Sequence, residues 1–258
     1  MKYYLALLVV GWILLGSSYP RDVYVDERTS TEVFFAHSEK VFPGHWYGPK
    51  INAEVEPLAR TERQRMILIL QRAFSKYPDP VLRENLERIY LFKTMKFYGV
   101  PFGGTNVAKT VYMSDDENNP LFSDHFIENV FHHEFSSILK RNFARHFRSG
   151  AWEAINPVTF TYGAGGVDAM LKGEASMAFD PPLFESGFLS QYSQASMEED
   201  VNVLAQNIFT GSREFWRIVE RNERIRKKTL LLINFYHTID PVFTEDYFRR
   251  INERVARR

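Results

Sequence analysis

Between residues 123 and 147 apolar side chains recur at intervals of three and four, the repeat that gathers them on one side of an α-helix. Phe126, Val130, His133 and Ser137 share one stripe, and Ile127, Phe131, Glu134 and Ile138 form the stripe beside it. Ser123 or Asp124 supplies the N-cap. Helices are also predicted over about 57–76, stopped by Pro78 and Pro80, and over "PVLRENLERIY" (80–90). Three more follow at about 197–210, 212–236 and 243–256, with Pro241 breaking the last two apart. "YLFKTMKFYGV" and "AKTVYMSD" have the composition of strands and are separated by the turn-forming "PFGGTN". Residues 21–55 read as an irregular extended lead-in, and 148–190 as loop-rich. No repeat or linker divides the chain, so residues 19–258 are expected to form one α+β domain dominated by helix.

Composition supports a packed domain. Of 258 residues, 45% are hydrophobic and 25% charged, a globular balance. The 22 Phe and 13 Tyr provide large, stiff core side chains. A net charge of +0 argues against nucleic acid as a partner, because phosphate binding needs a basic surface. Residues 211–258 hold 12 Lys/Arg against 7 Asp/Glu, but the interleaved acids at helical spacing describe a solvated face. Cysteine is absent, so any metal must be held by His, Asp or Glu.

The first residues, "MKYYLALLVVGWILLGSSYPRD", run from one lysine through the apolar stretch Tyr3–Leu15 to the small Gly16, Ser17 and Ser18. This is the order of a secretory signal peptide over residues 1–18, with cleavage before Tyr19. In "LLGS", Ser17 stands where a lipoprotein would carry its lipidated cysteine, so that lipidation is excluded. An apolar run this short falls below the roughly 17 residues of a spanning helix. The expectation is export to the periplasm, cell envelope or medium. If the segment is kept, it becomes a short anchor and gives membrane association.

"FHHEFSSIL" (131–139) opens like the zinc-peptidase signature H-E-x-x-H, with Ser137 where the second histidine belongs. Residues 133 and 137 lie one turn apart on one helix face, the spacing that lets two imidazoles reach one ion. Glu134, an acid in an apolar stripe, has the placement of a general base with a raised pKa. His132 points about 100° away from His133, and His125 and His146 lie too far along the axis to replace residue 137. Serine is a poor zinc ligand.

Sixty residues on, "YSQASMEEDVNVLAQNIF" (192–209) places three acids in the first turn of a helix capped by Ser196, where the helix dipole favours them without any metal. Together with "FHHEFSSIL", this stretch resembles the zincin metallopeptidases, specifically gluzincin-like families that include zinc-binding metallopeptidases of bacterial cell envelopes. The resemblance covers roughly 85–210. It implies a zincin-like domain whose small sheet packs on the metal helix, with an edge strand that pairs with extended substrate. It further implies Zn2+ held by His133 and Glu199, with Glu198 and Asp200 as near alternatives to Glu199. Glu134 takes the role of catalytic base and Tyr192 that of oxyanion stabiliser. The chain departs from that pattern at Ser137 and in "DVNVLAQ", which lacks the usual Phe-Ala-Glu.

Two functions follow. One is an exported zinc metallopeptidase or metallohydrolase with a degenerate metal site, acting on a peptide or protein substrate. The other is a non-catalytic zincin-like module that binds a peptide or an envelope partner. "YGAGG" (162–166) lacks the patterns of a phosphate loop and reads as a turn.

Overall fold

The computed structural model describes residues 22–35, 40–116, 119–120 and 122–251. The expected signal or anchor at 1–18 lies outside them, as does the end of the last predicted helix. No helix among the described residues is long and apolar enough to cross a membrane.

Among the described residues seven strands form one sheet: β1 (Val23–Val25), β2 (Glu32–Phe34), β3 (Glu54–Pro57), β4 (Arg88–Phe97), β5 (Val100–Pro101), β6 (Gly104–Val107) and β7 (Thr110–Ser114). The path is β1-β2-β4-β7-β6, with β3 and β5 also paired to β4. β4 runs parallel to β2 and to β7, pairing Arg88 with Glu32 on one side and with Thr110 on the other. Its two faces feed two cores. Ile89 and Leu91, with Val111 and Met113 of β7, join the main helical core. Phe92, Phe97 and Tyr112 pack with Phe42 and Ala53 on the opposite side. Because both faces are covered, β7 reads as the continuous buried run "TVYMS".

Ten helices follow the chain: α1 (Arg63–Phe74), α2 (Asp79–Asn85), α3 (Asp124–Asn142), α4 (Ser149–Glu153), α5 (Gly166–Lys172), α6 (Pro181–Phe184), α7 (Met197–Thr210), α8 (Arg213–Arg221), α9 (Glu223–Ile239) and α10 (Glu245–Arg249), counted among the described residues. The molecule is a helix-rich α+β fold. α3 lies at its centre, between the sheet and α7. Ile127, Phe131, Phe135, Ile138 and Leu139 of α3 are buried, and each such side chain contributes about 1.5–3 kcal/mol by leaving water. Ser123 caps α3 by accepting from the Phe126 N–H at 3.2 Å.

Several sequence expectations need correction. The lead-in at 21–55 supplies β1, β2 and the first half of β3; these strands are only three or four residues long and gain order by pairing, which local pattern does not report. The helix expected at 57–76 begins at Arg63, because Pro57 belongs to β3 and a 3-10 turn covers Arg60–Glu62. The helix expected at 80–90 ends at Asn85, and Arg88–Tyr90 are recruited into β4 by neighbours on both sides. α3 stops at Asn142 rather than 147; no Gly or Pro marks the stop, and a 3-10 turn at Ala144–His146 follows. The helix expected at 212–236 is two helices. Asn222 leaves helical dihedrals (φ −123°, ψ 106°), and its backbone N–H (3.1 Å) and side-chain amide (2.8 Å) both donate to the Ile218 carbonyl, closing α8 there.

A buried ion pair ties the C-terminal helices to α7. Lys228 of α9 donates to Asp200 Oδ2 at 2.7 Å and to the Gly187 carbonyl at 3.0 Å, and its ammonium lies 4.0 Å from the Phe188 ring centroid. Trp152 Nε1 (2.9 Å) and the Tyr162 hydroxyl (2.7 Å) donate to the same carboxylate oxygen. The first turn of α7 is thereby anchored to α4, to α9 and to the Gly-rich loop. Removing one partner of a buried pair leaves the other charge uncompensated. Lys228→Met is therefore expected to lower unfolding free energy by about 3 kcal/mol, read as a lower urea midpoint with an unchanged slope.

Candidate active-site cleft

Ser137 and His133 point from α3 toward α7, as their spacing dictates. On α7, Glu199, Asn202 and Gln206 recur at three and four and form the facing stripe. His133 Nδ1 is 3.0 Å from Gln206 Oε1, and its Nε2 is 2.9 Å from Glu199 Oε2. The Ser137 hydroxyl donates to Glu198 Oε1 at 2.7 Å and accepts from Asn202 Nδ2 at 2.7 Å. Ser196 caps α7 by accepting the Glu199 N–H, which fixes the turn that carries both glutamates.

Glu134 turns from this seam toward the sheet, where Asn106 of β6 donates to its Oε2 at 2.8 Å. Gly104 lets the strand come this close: a Cβ there would lie 2.6 Å from Val130 Cγ1 and 2.7 Å from Glu134 Oε1. Tyr192, in the 3-10 turn Tyr192–Gln194, lies nearly parallel to the His133 ring at 6.0 Å between centroids. Gly166, the last glycine of "YGAGG", has no room for a Cβ because the Tyr192 hydroxyl and Glu199 Oε1 crowd it. The loop lies beside the site, held by backbone bonds from Gly163 and Gly165 to Gln194 and Ala195. His133, Glu134, Tyr192 and Gln206 border a cavity of about 510 Å³ whose walls include Phe102, Phe126 and Val130.

The structure thus gathers His133, Glu134, Tyr192 and Glu199 at one cleft. Asp200, an alternative to Glu199, faces the opposite way into its pair with Lys228. His132 is buried on the far side of α3, with its Nδ1 2.9 Å from the Tyr77 hydroxyl. His146 lies in the 3-10 turn beyond α3. Asn106, Asn202 and Gln206 went unnoticed in sequence. The latter two could have been found by extending the three-four repeat from Glu199, whereas nothing local signals Asn106.

Electrostatics follow from burial and pairing. Burial alone would lower the His133 pKa, but the hydrogen bond and charge of Glu199, with Glu134 and Gln206, outweigh it and raise it from 6.5 to about 9. Burial raises the Glu134 carboxyl from 4.5 to about 7, against the opposing pull of His133 and Asn106. Burial and the nearby Glu199 and Glu134 push the Tyr192 phenol well above its ordinary range. With an acceptor oxygen at each ring nitrogen, His133 is held as the imidazolium at neutral pH.

A catalytic zinc takes three protein ligands and leaves a fourth position for water. Here His133 and Glu199 offer two donors bonded to each other, and the third position is a hydroxyl engaged by Glu198 and Asn202. Among the described residues, no group of three His, Asp or Glu side chains could hold a metal ion. The residues present do not fit a three-ligand zinc centre.

The fold is similar to that of a crystal structure of a "putative zinc-binding metallo-peptidase" from Bacteroides caccae, with a TM-score of 0.56 and 14% identity over 88% of this chain and 84% of that one. The two chains share a fold. No family model matches the sequence, and no curated protein does.

Both shifted groups give stability the same dependence on pH. The His133 contribution is complete below 6.5 and is lost as pH rises through about 9. For Glu134 the folded chain favours the protonated acid, so stability falls as pH rises from 4.5 through about 7. Buried His132, lowered from 6.5 to about 4, contributes the opposite slope between those values. Urea unfolding should therefore show stability lost from pH 6.5 through about 9, and the stability of Glu134→Gln relative to the unaltered chain should grow as pH rises from 4.5 through about 7.

Proposed function

We propose that the chain is a zincin-like module that binds an extended peptide or protein segment in the cleft between β6 and the α3–α7 pair, without catalytic zinc. One observation carries this reading. The hydroxyl of Ser137, at the second ligand position, is satisfied by Glu198 and Asn202, while His133 and Glu199 satisfy each other. Both ring nitrogens of His133 and the hydroxyl of Ser137 are thus engaged by protein side chains. The sheet path ends at β6, whose outer edge can accept a peptide as an added strand. Apolar walls at Phe102, Phe126 and Val130 offer contacts for its side chains. Export to the periplasm, cell envelope or medium belongs to the same proposal and rests on the apolar segment Tyr3–Leu15.

A second reading, an exported zinc metallopeptidase with His133 and Glu199 as ligands, is favoured by one feature. Glu134 reaches the cleft with its pKa raised to about 7, as a general base requires, and Tyr192 lies beside it. Metal analysis separates the two. After incubation with one equivalent of zinc and desalting, the purified protein is expected to retain no stoichiometric metal, and its melting temperature should not move. Ser137→His supplies the missing imidazole and should retain close to one equivalent. Stoichiometric zinc on the unaltered chain, with a raised melting temperature, would establish the peptidase reading instead.

A further inference from the structure

Glu134 is 8% exposed, and only one of its two carboxylate oxygens is satisfied: Asn106 donates to Oε2, while no described residue donates to Oε1. His133, the neighbouring imidazole, is bonded at both ring nitrogens, to Glu199 and to Gln206. No Lys or Arg lines the cleft among the described residues. A carboxylate oxygen that meets no protein donor at an apolar-walled cleft has a charged N–H group as its natural complement. The walls around it are apolar, formed by Phe102, Phe126, Val130 and Met177. At about 510 Å³ the cavity lies within the usual range for ligand pockets, about 300–1,000 Å³.

We infer that the cleft recognises the free amino terminus of a peptide whose first side chain is apolar, with the α-ammonium donating to Glu134 Oε1. This rests on the peptide-binding reading of the cleft. An amino-terminal residue of this kind presents a charged nitrogen and an apolar group from one Cα, matching a carboxylate set within apolar walls. A lysine ammonium stands at the end of its own stem and brings no apolar group past the charge. Gly104, where an added Cβ would come within 2.7 Å of Glu134 Oε1, places the start of β6 beside that oxygen. A peptide lying along the β6 edge can therefore deliver its first residue there.

Calorimetric titration of the full chain with C-terminally amidated leucyl-alanyl-alanine tests the assignment. The free peptide should bind about tenfold more tightly than its N-acetylated form, the effect expected of one charge-assisted hydrogen bond. Glu134→Gln, checked for folding by circular dichroism, should bind the free peptide no better than the acetylated one. Equal affinity of the two peptides for the unaltered protein would overturn the inference and leave the peptide-binding reading intact. A preference that survives Glu134→Gln would overturn the role of Glu134. Tighter binding of an N-acetylated peptide with an internal lysine would overturn the amino-terminal choice. Absence of binding by every peptide would remove both the inference and the reading beneath it.

Discussion

The seam between α3 and α7 is the constraint on which the cleft depends. Two helices cross at the centre of the molecule, and the polar stripe of each is buried against the other. Polar groups taken out of water need partners within the protein, and here most find them, Asn202 Oδ1 being the exception. His133 uses both ring nitrogens, on Glu199 and Gln206, and Ser137 both donates and accepts. A metal ion could clamp two such helices by drawing donors toward a point charge. This seam achieves a similar registration with hydrogen bonds, because a short hydroxyl at 137 leaves space for the Glu198 and Asn202 side chains to close over it.

Once that seam is fixed, the other groups of the cleft have determined positions. Glu134, one residue beyond His133, must face about 100° away, which directs it to β6 rather than to α7. The close approach of Gly104 and the amide of Asn106 complete its surroundings. Tyr192 is carried by the turn just before α7, and the loop through Gly166 closes against it. Behind α7, the Lys228–Asp200 pair with Trp152 and Tyr162 holds the first turn in place. Adjacent acids on one helix turn therefore have different work: Glu198 and Glu199 face the seam, and Asp200 faces the core.

The legible parts of the chain were those with strong local periodicity. α7 was expected at 197–210 with Ser196 as its cap, and it has those limits. The start of α3 at Ser123 was legible for the same reason, whereas its end was not, since no residue at 142 disfavours helix. β1, β2 and β3 were legible only as short β-prone pieces of an irregular lead-in, because strands this short owe their order to pairing, β2 and β3 with β4 and β1 with β2. Asn222 divides a segment of continuous helical periodicity by taking extended dihedrals, a choice local pattern does not record.

The sequence by itself determined that residues 133 and 137 share a helix face, that Glu134 lies on the neighbouring stripe, and that the acids at 198–200 open a helix. These are consequences of a 3.6-residue repeat and of capping chemistry, both of which act within a few residues. Only the tertiary structure decided that Glu199 meets His133, that Asp200 does not, and that Glu198 closes on Ser137. Those outcomes depend on the rotation of α7 about its own axis. That rotation is set by the packing of α3, α9 and the loop at 162–166 against it, through contacts between residues far apart in the chain.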